Sequence, residues 1–380
     1  MLTVSNVNKA DSAFRGEDNP LGIRGIDHVL FYVGNANQAA HYYLAAFGFQ
    51  RLAYAGMETG FTDRVSWALE QGNAKIVLAS GLDPAGPIAR HANIHGDSVK
   101  DIAFEVEDAE QAFEQAVSRG ARPVVEPRKQ SDEHGEVVVA TVCACGDILH
   151  SFVDRKRYKG TFLPGYLEKR SIRTQGLGIT GFDHFALSVP AGTLDEWIQF
   201  YRRVFGFYEC HEENVNTSKS GMRSKVVRGL SDDVVFPIME PLPGSSRSQI
   251  QDYLTFHGGP GVQHAALRTD DIIGTVRALL EQDIEFLYTP DTYYDALPAR
   301  IGKLQEDVDE LRDLKVLVDR DDNGYLFQIF TKAVTGRPTF FIELIQRKGA
   351  RGFGSGNIRA LFEAIELEQA ARDQYMQVTA

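Results

Sequence analysis

Three residues in the second half of the chain have the side-chain types and the settings of a metal centre. His184 and His264 each lie in a stretch whose apolar pattern predicts a β-strand, and Glu343 lies within the apolar run 339–345. A carboxylate in such a run is costly to desolvate unless a cation or hydrogen-bond donors compensate it. Two imidazoles and one carboxylate form the facial triad that holds iron(II) and leaves positions open for substrate and O₂. We therefore predict a metal site formed by these three side chains.

An internal repeat gives a control for this prediction. Gly25-Ile-Asp-His-Val resembles Gly181-Phe-Asp-His-Phe, and the helical patterns that follow end alike in Phe47-Gly-Phe and Phe205-Gly-Phe. A repeat of this length indicates two homologous domains rather than a solenoid of short units. The first-half counterparts of the three metal-ligand candidates are His28, Asp101 and, near the end of that half, His150. Because this set has no acidic counterpart of Glu343, we expect the first-half site to be degenerate.

The elements that must position these residues follow from the apolar periodicity. Each half mixes alternating strand patterns with helices of 3.6-residue period. The order predicts βαβββ modules, two per half, and hence an α+β fold. We expect a first domain at 21–158, with the degenerate site, and a second domain at 178–380, with the intact site; 154–180 is the predicted linker. Three glycines at 352, 354 and 356 precede a predicted C-terminal lid helix. Its apolar face includes Ile358, Leu361, Phe362 and Ile365.

Composition excludes several classes of protein. A formal net charge of −12 over 380 residues argues against a nucleic-acid partner. No apolar run is long enough to cross a bilayer, and residues 1–19 are polar without the apolar core of a secretory signal. Three cysteines, an odd and low count, indicate a reducing compartment. We therefore expect a cytoplasmic protein with no membrane partner.

Longer motifs identify the family that the chain resembles. They are Ser248-Gln-Ile-Gln-Asp-Tyr-Leu254, Gly261-Val-Gln-His264, Tyr293-Tyr-Asp295, 317–332, 337–347 and Gly352-Phe-Gly-Ser-Gly-Asn357. In this order they resemble the 4-hydroxyphenylpyruvate dioxygenase family of the vicinal-oxygen-chelate superfamily, over roughly residues 21–370. The resemblance implies two tandem vicinal-oxygen-chelate domains that curl into open barrels. It also implies Fe²⁺ held by His184, His264 and Glu343, and the conversion of 4-hydroxyphenylpyruvate and O₂ to homogentisate and CO₂ in tyrosine catabolism.

The same resemblance implies the residues of a substrate pocket. Side chains that would orient the substrate or the metal ligands through hydrogen bonds are Ser224, Gln249, Gln263 and Gln328. Aromatic walls for the substrate ring would be Phe330 and Phe353. The remaining expected pocket residues are Met239, Asn357 and Ile358.

Two of these positions depart from the family pattern. The family usually has Asn where Met239 stands and Phe where Ile358 stands. The related 4-hydroxymandelate synthase also lacks that Asn and has Ile at the second position. Both changes alter the shape and polarity of the pocket, so 4-hydroxymandelate is an alternative product. The first-half stretches 34–43 and 163–166 resemble the dioxygenase, which favours homogentisate.

Two functions of other kinds fit the same superfamily. One is a metal- or ligand-binding module without turnover, which has less need of an open redox site and a glycine-rich lid. The other is an extradiol ring-cleaving dioxygenase, which would not need the motif around Gln249 or the C-terminal helix. With the metal site in the second half, the first half is free for subunit contacts, and we expect a homo-oligomer.

Overall fold

The structure is a computed structural model, and it describes residues 4–5, 19–170, 176–216, 221–231, 234–242 and 248–361. Most of the polar N-terminal segment and part of the predicted linker lie outside these ranges. So do Phe362 and Ile365 of the predicted lid helix.

The described residues form eighteen strands in two nine-stranded sheets. In chain order the strands are β1 Val4–Ser5, β2 Ile23–Tyr32, β3 Gln50–Ala55, β4 Arg64–Gln71, β5 Ala74–Gly81, β6 Ser98–Val106, β7 Arg122–Asp132, β8 Gly135–Cys143, β9 Leu149–Tyr158, β10 Leu167–Glu168, β11 Ile179–Ser188, β12 Tyr208–Asn216, β13 Gly221–Arg228, β14 Val235–Pro241, β15 Gly261–Thr269, β16 Leu317–Asp321, β17 Gly324–Phe330 and β18 Phe341–Lys348.

Nine α-helices connect these strands within the described ranges. They are α1 Ala36–Phe47, α2 Pro87–His95, α3 Ala109–Ser118, α4 Leu194–Phe205, α5 Gln249–His257, α6 Ile272–Leu280, α7 Asp291–Asp295, α8 Leu297–Ile301 and α9 Val308–Asp313. Residues 355–361 are also helical. The mixture of two sheets with short helices confirms the predicted α+β class.

The two sheets have the same internal order, as the repeat predicts. The first sheet runs β10-β3-β4-β5-β2-β6-β9-β8-β7, and the second runs β1-β12-β13-β14-β11-β15-β18-β17-β16. Each half contains two βαβββ modules. The matching Phe-Gly-Phe motifs end α1 and α4 in the same way, because Gly48 and Gly206 both cap their helices at φ 71 and ψ 18. A left-handed cap of this kind favours glycine.

The main hydrophobic core is shared by the two halves. It combines residues of β2, α1 and α3 with residues of β11, α4 and α6. Phe31 meets Phe340 edge to face with ring centroids 5.3 Å apart. Across the same boundary, Nε2 of the buried His150 accepts a hydrogen bond from the Tyr201 hydroxyl at 3.0 Å, since its Nδ1 faces the carbonyl oxygen of Ile102. The halves are therefore packed against each other through aromatic side chains.

Two short strands cross the expected domain limits. β1 pairs with β12 of the second sheet, and β10, which follows residue 158, pairs with β3 of the first. Leu163 and Tyr166, just before β10, pack with a core cluster of the first sheet. Part of the predicted linker thus belongs to the first sheet.

No helix among the residues that the structure describes has the length and the apolar character needed to span a membrane.

Candidate active site

Three adjacent strands at the centre of the second sheet carry the predicted metal ligands. β11 carries His184, β15 carries His264 and β18 carries Glu343. In the ladder between β11 and β15, Ala186 pairs with His264, and Ala266 pairs with His184 on one side and with Glu343 on the other. All three side chains are buried, and Glu343 is only 1% exposed.

The structure brings the ligand atoms of these residues to one point. The Nε2 atom of His184 lies 3.3 Å from Oε2 of Glu343, and Nε2 of His264 lies 3.4 Å from the same oxygen. The three ligand atoms all lie within 4.8 Å of one another. Two nitrogens converging on one carboxylate oxygen at these distances leave a space that suits a shared cation.

Hydrogen bonds on the far side of each ring set the direction of its lone pair. Nδ1 of His184 lies 2.9 Å from Oδ1 of Asp183, and Nδ1 of His264 lies 3.3 Å from Oε1 of Gln263. Because both partners are acceptors, each Nδ1 carries the proton and each Nε2 points its lone pair inward. Arg347 holds Asp183 in turn, through two hydrogen bonds of 2.8 Å.

The electrostatics of the cluster favour a positive charge between the three side chains. Burial works to lower the pKa of His184, but the charge of Glu343 and the hydrogen bond with Asp183 outweigh it and raise the pKa to about 9. Burial, together with the neighbouring His184, lowers the pKa of His264 well below its usual value. The three side chains therefore fit the donor set of a divalent metal, which would take the place of the proton that Nε2 of His184 otherwise holds against Glu343.

A chain of hydrogen bonds connects Glu343 to the start of the C-terminal helix. Nε2 of Gln328 donates to Oε1 of Glu343 at 2.9 Å, and Nδ2 of Asn357 donates to Oε1 of Gln328 at 2.8 Å. The hydroxyl of Tyr293 donates to Oδ1 of Asn357 at 2.6 Å. The position of the helix at 355–361 is therefore coupled to the orientation of the carboxylate.

A pocket opens beside the cluster and contains most of the predicted pocket residues. Eight of the nine line it together with the three ligand candidates: Ser224, Met239, Gln249, Gln263, Gln328, Phe330, Phe353 and Ile358. Asn357 does not line it; this residue is fully buried and acts through Gln328.

Aromatic rings enclose the histidines. Phe353 meets the His184 ring edge to face at 5.4 Å, and Phe341 stacks on the His264 ring at 4.8 Å. Phe330 completes this side of the pocket, 6.4 Å from the His264 ring. These rings pack against the two imidazoles and give the cluster apolar surroundings.

Sequence reasoning missed several residues of the site. Pocket residues that it did not assign to the pocket are His211, Glu213, Met222, Val226 and Pro237. Leu361, which was predicted on the apolar face of the lid helix, also lines the pocket. It also missed Asp183 and Arg347, although the Asp-His pair occurs in both halves and was a visible signal. Tyr293 lies in a motif that carried the family resemblance, but no role was predicted for it.

The first half keeps the surroundings of His184 around His28, but it lacks counterparts of the other two ligand candidates. Asp27, His28 and Arg155 repeat the contacts of Asp183, His184 and Arg347: Nδ1 of His28 lies 2.6 Å from Asp27, and Arg155 contacts both oxygens of Asp27. Even the ring contact recurs, since Phe162 meets His28 edge to face at 5.3 Å.

The register of β6 and β9 corrects the predicted counterpart of Glu343. Asp101 pairs with Leu149 and Phe104 with Phe152, which places Ser151, not His150, at the position of the glutamate. Ser151 donates its backbone N–H to Asp101 at 3.0 Å, and its hydroxyl bonds the same carboxylate. His150 points to the other face of the strand, so it does not join His28 and Asp101.

A second group of possible metal ligands lies between the halves: His91, His95 and Asp147. Nδ1 of His95 donates to the carbonyl oxygen of His257 at 2.7 Å, and its Nε2 lies 3.0 Å from Asp147. Both ring nitrogens of His95 thus have protein partners, and the ammonium of Lys100, bonded to the backbone of Asp147, adds positive charge. We assign this group to packing between α2 and α5.

Comparison with known proteins begins with family models. The model for hydroxyphenylpyruvate dioxygenase, N-terminal, matches residues 17–164, and the model for the glyoxalase, bleomycin resistance protein and dioxygenase superfamily matches residues 181–329. A 4-hydroxyphenylpyruvate dioxygenase of Dictyostelium discoideum is 43% identical over 364 residues, covering 92% of this chain and 99% of the relative. The chain belongs to the 4-hydroxyphenylpyruvate dioxygenase family.

Other members and a solved structure extend this result. The 4-hydroxyphenylpyruvate dioxygenase of Danio rerio is 42% identical over 367 residues, with 93% of this chain and 92% of the relative covered. A triple mutant of 4-hydroxymandelate synthase from Streptomyces coelicolor superposes with a TM-score of 0.84 at 36% identity, over 92% of this chain and 99% of that one. The tandem vicinal-oxygen-chelate fold predicted from the sequence is confirmed. The chain is a metal-dependent dioxygenase of this family, which sets aside the binding module without turnover.

Proposed function

We propose that the protein converts 4-hydroxyphenylpyruvate and O₂ to homogentisate and CO₂, with iron(II) held by His184, His264 and Glu343. The observation that carries this proposal is the buried three-residue cluster with both imidazole lone pairs turned inward beside an apolar pocket. The relatives that are 39–43% identical over 92–93% of the chain share the name of this activity.

The donor set favours iron(II) among the divalent metals. One carboxylate and two imidazoles on neighbouring strands leave part of the coordination sphere free, as non-haem iron oxygenases require. When bound, iron(II) supplies the redox chemistry and the sites at which a 2-oxo acid and O₂ meet.

The chain's own residues orient the ligands and the substrate. Asp183 and Gln263 fix the two rings through their Nδ1 atoms, and Gln328 fixes the carboxylate of Glu343. Fixed ligands keep the reacting groups in one geometry, which matters because small displacements change rates greatly. Phe353 and Ile358 give the aromatic ring of the substrate an apolar surround.

The product is set by the walls of the pocket. Met239 lies in a cluster of buried apolar residues with Met222, and Ile358 packs against that cluster. Since a thioether and a branched alkyl group stand where the family usually has an amide and a phenyl ring, 4-hydroxymandelate is the second candidate product. The names of the sequence relatives favour homogentisate as the main product.

Anaerobic reconstitution tests the proposal. The metal-free protein receives one equivalent of iron(II), then 4-hydroxyphenylpyruvate, then air-saturated buffer, and the acids formed are separated by chromatography. We expect homogentisate as the main product. His184→Ala and His264→Ala should lose both tight iron binding and turnover, because two remaining ligands hold iron poorly. Full activity in either variant would contradict the assignment, and a main product of 4-hydroxymandelate would support the second candidate.

We also propose that the protein is a homo-oligomer. The site lies wholly within the second half, so surfaces of the first half are free to form subunit contacts. Light scattering after size-exclusion chromatography gives the mass, and a mass equal to one chain would refute this.

A further inference from the structure

Glu213 is a buried carboxylate in the active-site pocket whose oxygens have no hydrogen-bond donor. It is 1% exposed, and among the residues that the structure describes neither Oε1 nor Oε2 accepts a hydrogen bond. Nε2 of His211 lies 3.5 Å from its Oε2, which is too far and too poorly aligned to count as a hydrogen bond. A buried carboxylate without donors is unfavourable, since buried polar groups in folded proteins are nearly always paired.

The register of the sheet places Glu213 in the wall of the pocket. Glu213 pairs with Ser224 across β12 and β13, Ser224 pairs with Met239, and Met239 pairs with Ser188 on β11. Glu213, Ser224 and Met239 all line the pocket. They form one row across the inner face of the sheet.

This row lies away from the metal ligands. Ser188 is four residues beyond His184 on β11, which at about 3.3 Å per residue corresponds to roughly 13 Å along the strand. A 2-oxo acid whose keto and carboxylate groups face the ligand cluster directs the opposite end of its ring towards this row. In 4-hydroxyphenylpyruvate that end carries the hydroxyl group.

The polar groups of the pocket complement a hydroxyl. Nε2 of Gln249, which also lines the pocket, is a buried donor without a partner among the described residues, and Glu213 supplies unpartnered acceptors. A phenolic hydroxyl can donate one hydrogen bond and can also accept one. Met239, in the same row, offers neither a donor nor a strong acceptor.

We propose that Glu213 accepts the hydrogen bond of the substrate's ring hydroxyl and thereby selects hydroxylated over unsubstituted arylpyruvates. This rests on the proposed function and adds a specificity residue to it. Such a site discriminates strongly, because a substrate without the hydroxyl leaves the carboxylate buried and unpaired.

The test compares 4-hydroxyphenylpyruvate with phenylpyruvate, which lacks only the hydroxyl, on iron-loaded wild type, Glu213→Ala and Glu213→Gln. The measured quantity is kcat/KM for 4-hydroxyphenylpyruvate divided by kcat/KM for phenylpyruvate, both from O₂ consumption. We expect Glu213→Ala to reduce this ratio by about 10- to 100-fold, the range for a hydrogen bond to a charged group. Glu213→Gln keeps an acceptor and should reduce it less. The matched control is Glu212→Gln: this neighbour pairs with Arg223 and Lys225 and is absent from the pocket lining.

Each result supports or overturns the proposal. The proposal is supported if Glu213→Ala lowers kcat/KM for the hydroxylated substrate selectively and the control variant leaves the ratio unchanged. An unchanged ratio overturns it, and so does an equal loss of both substrates, which would show that Glu213 and His211 form only a structural pair. If the wild type consumes no O₂ with either acid, the proposed function fails separately. The same ratio, taken from dissociation constants measured by calorimetry without O₂, then tests Glu213.

Discussion

Single side chains behind the candidate metal ligands set the orientation of those ligands. Asp183 accepts from Nδ1 of His184 and is itself held by Arg347, so the ring of His184 has one orientation. Partners of this kind raise the basicity of a ligand and fix its tautomer. The sequence predicted the ligands through their strand patterns, but it did not predict Asp183, because a neighbouring residue on a strand ordinarily points to the other face.

The first prediction concerns Asp183→Asn. The amide neither carries the charge nor favours the same His184 tautomer, so we expect about 10- to 100-fold weaker metal binding. Titration of the metal-free protein with iron(II) or cobalt(II) measures this. Asp27→Asn changes the equivalent residue of the first half and should leave the affinity unchanged; equal effects of both variants would point to a general loss of structure.

The second prediction concerns the product. Ile358→Phe, alone or with Met239→Asn, restores ring volume and an amide in the pocket wall, and it should move the product ratio towards homogentisate. A difference of about 1.4 kcal/mol between two barriers changes a ratio tenfold, which one side chain can supply. Wild type should release some 4-hydroxymandelate. Chromatography of the two acids decides, and pure homogentisate from wild type and variants alike would show that these positions do not control the outcome.

At the scale of elements, the glycine-rich segment after β18 brings the C-terminal helix onto the pocket. Arg347 donates to the carbonyl oxygen of Gly352 at 2.6 Å, and the backbone N–H of Gly352 donates to Asp321 at 2.8 Å. Gly354 has φ 71, a conformation that favours glycine. These contacts fix the start of the segment at Gly352. Phe353 in the segment, and Ile358 and Leu361 in the helix that follows, line the pocket.

The third prediction is that truncation before Gly352 separates metal binding from productive turnover. All three ligand candidates remain, so iron binding should be largely retained. The pocket loses Phe353 and Ile358 and becomes open to water, which should uncouple O₂ consumption from product formation. The ratio of O₂ consumed to acid formed measures this. A ratio equal to that of wild type would mean that the segment is only a structural cap.

The strand registers show where prediction from sequence reached its limit. A one-residue change of register turns a side chain to the opposite face. For this reason the sequence comparison matched His150 to Glu343, whereas the register matches Ser151 to it. It matched His28 to His184 and Asp101 to His264 correctly. Glu213 was missed for a related reason, since only the pairing of β12 with β13 shows that it faces the pocket.

At the scale of the whole molecule, the two sheets and their common core follow from the repeat. The spacing of Phe-Gly-Phe and Asp-His motifs was sufficient to predict two homologous halves. The packing of one half on the other was not predictable, because it depends on contacts such as that of His150 with Tyr201, between residues far apart in the chain.

The fourth prediction concerns stability in acid. Burial acts to raise the pKa of Asp27, but hydrogen bonds and charges of His28 and Arg155 outweigh it, and the pKa lies well below its usual value. The stabilisation that results is present above the unfolded-state pKa of about 4 and is lost as the pH falls below it.

Asp27→Asn should therefore lower the free energy of unfolding at pH 7 by about 3 kcal/mol, the cost of breaking a buried ion pair. It should also flatten the dependence of that free energy on pH below about 4. Urea unfolding at a series of pH values measures both. An acid dependence as steep as that of wild type would show that Asp27 does not contribute to it.

The contacts of His28 with Asp27, and of Asp27 with Arg155, make the first half a suitable scaffold for a second, designed metal site. Asp101 and Ser151 stand at the positions of His264 and Glu343, on strands paired in the same register. Asp101→His with Ser151→Glu would complete a donor set whose scaffold, Asp27 with Arg155, is already assembled. We expect the double variant to take up two equivalents of cobalt(II) where the parent takes one, because two substitutions would supply the ligands that the first half lacks.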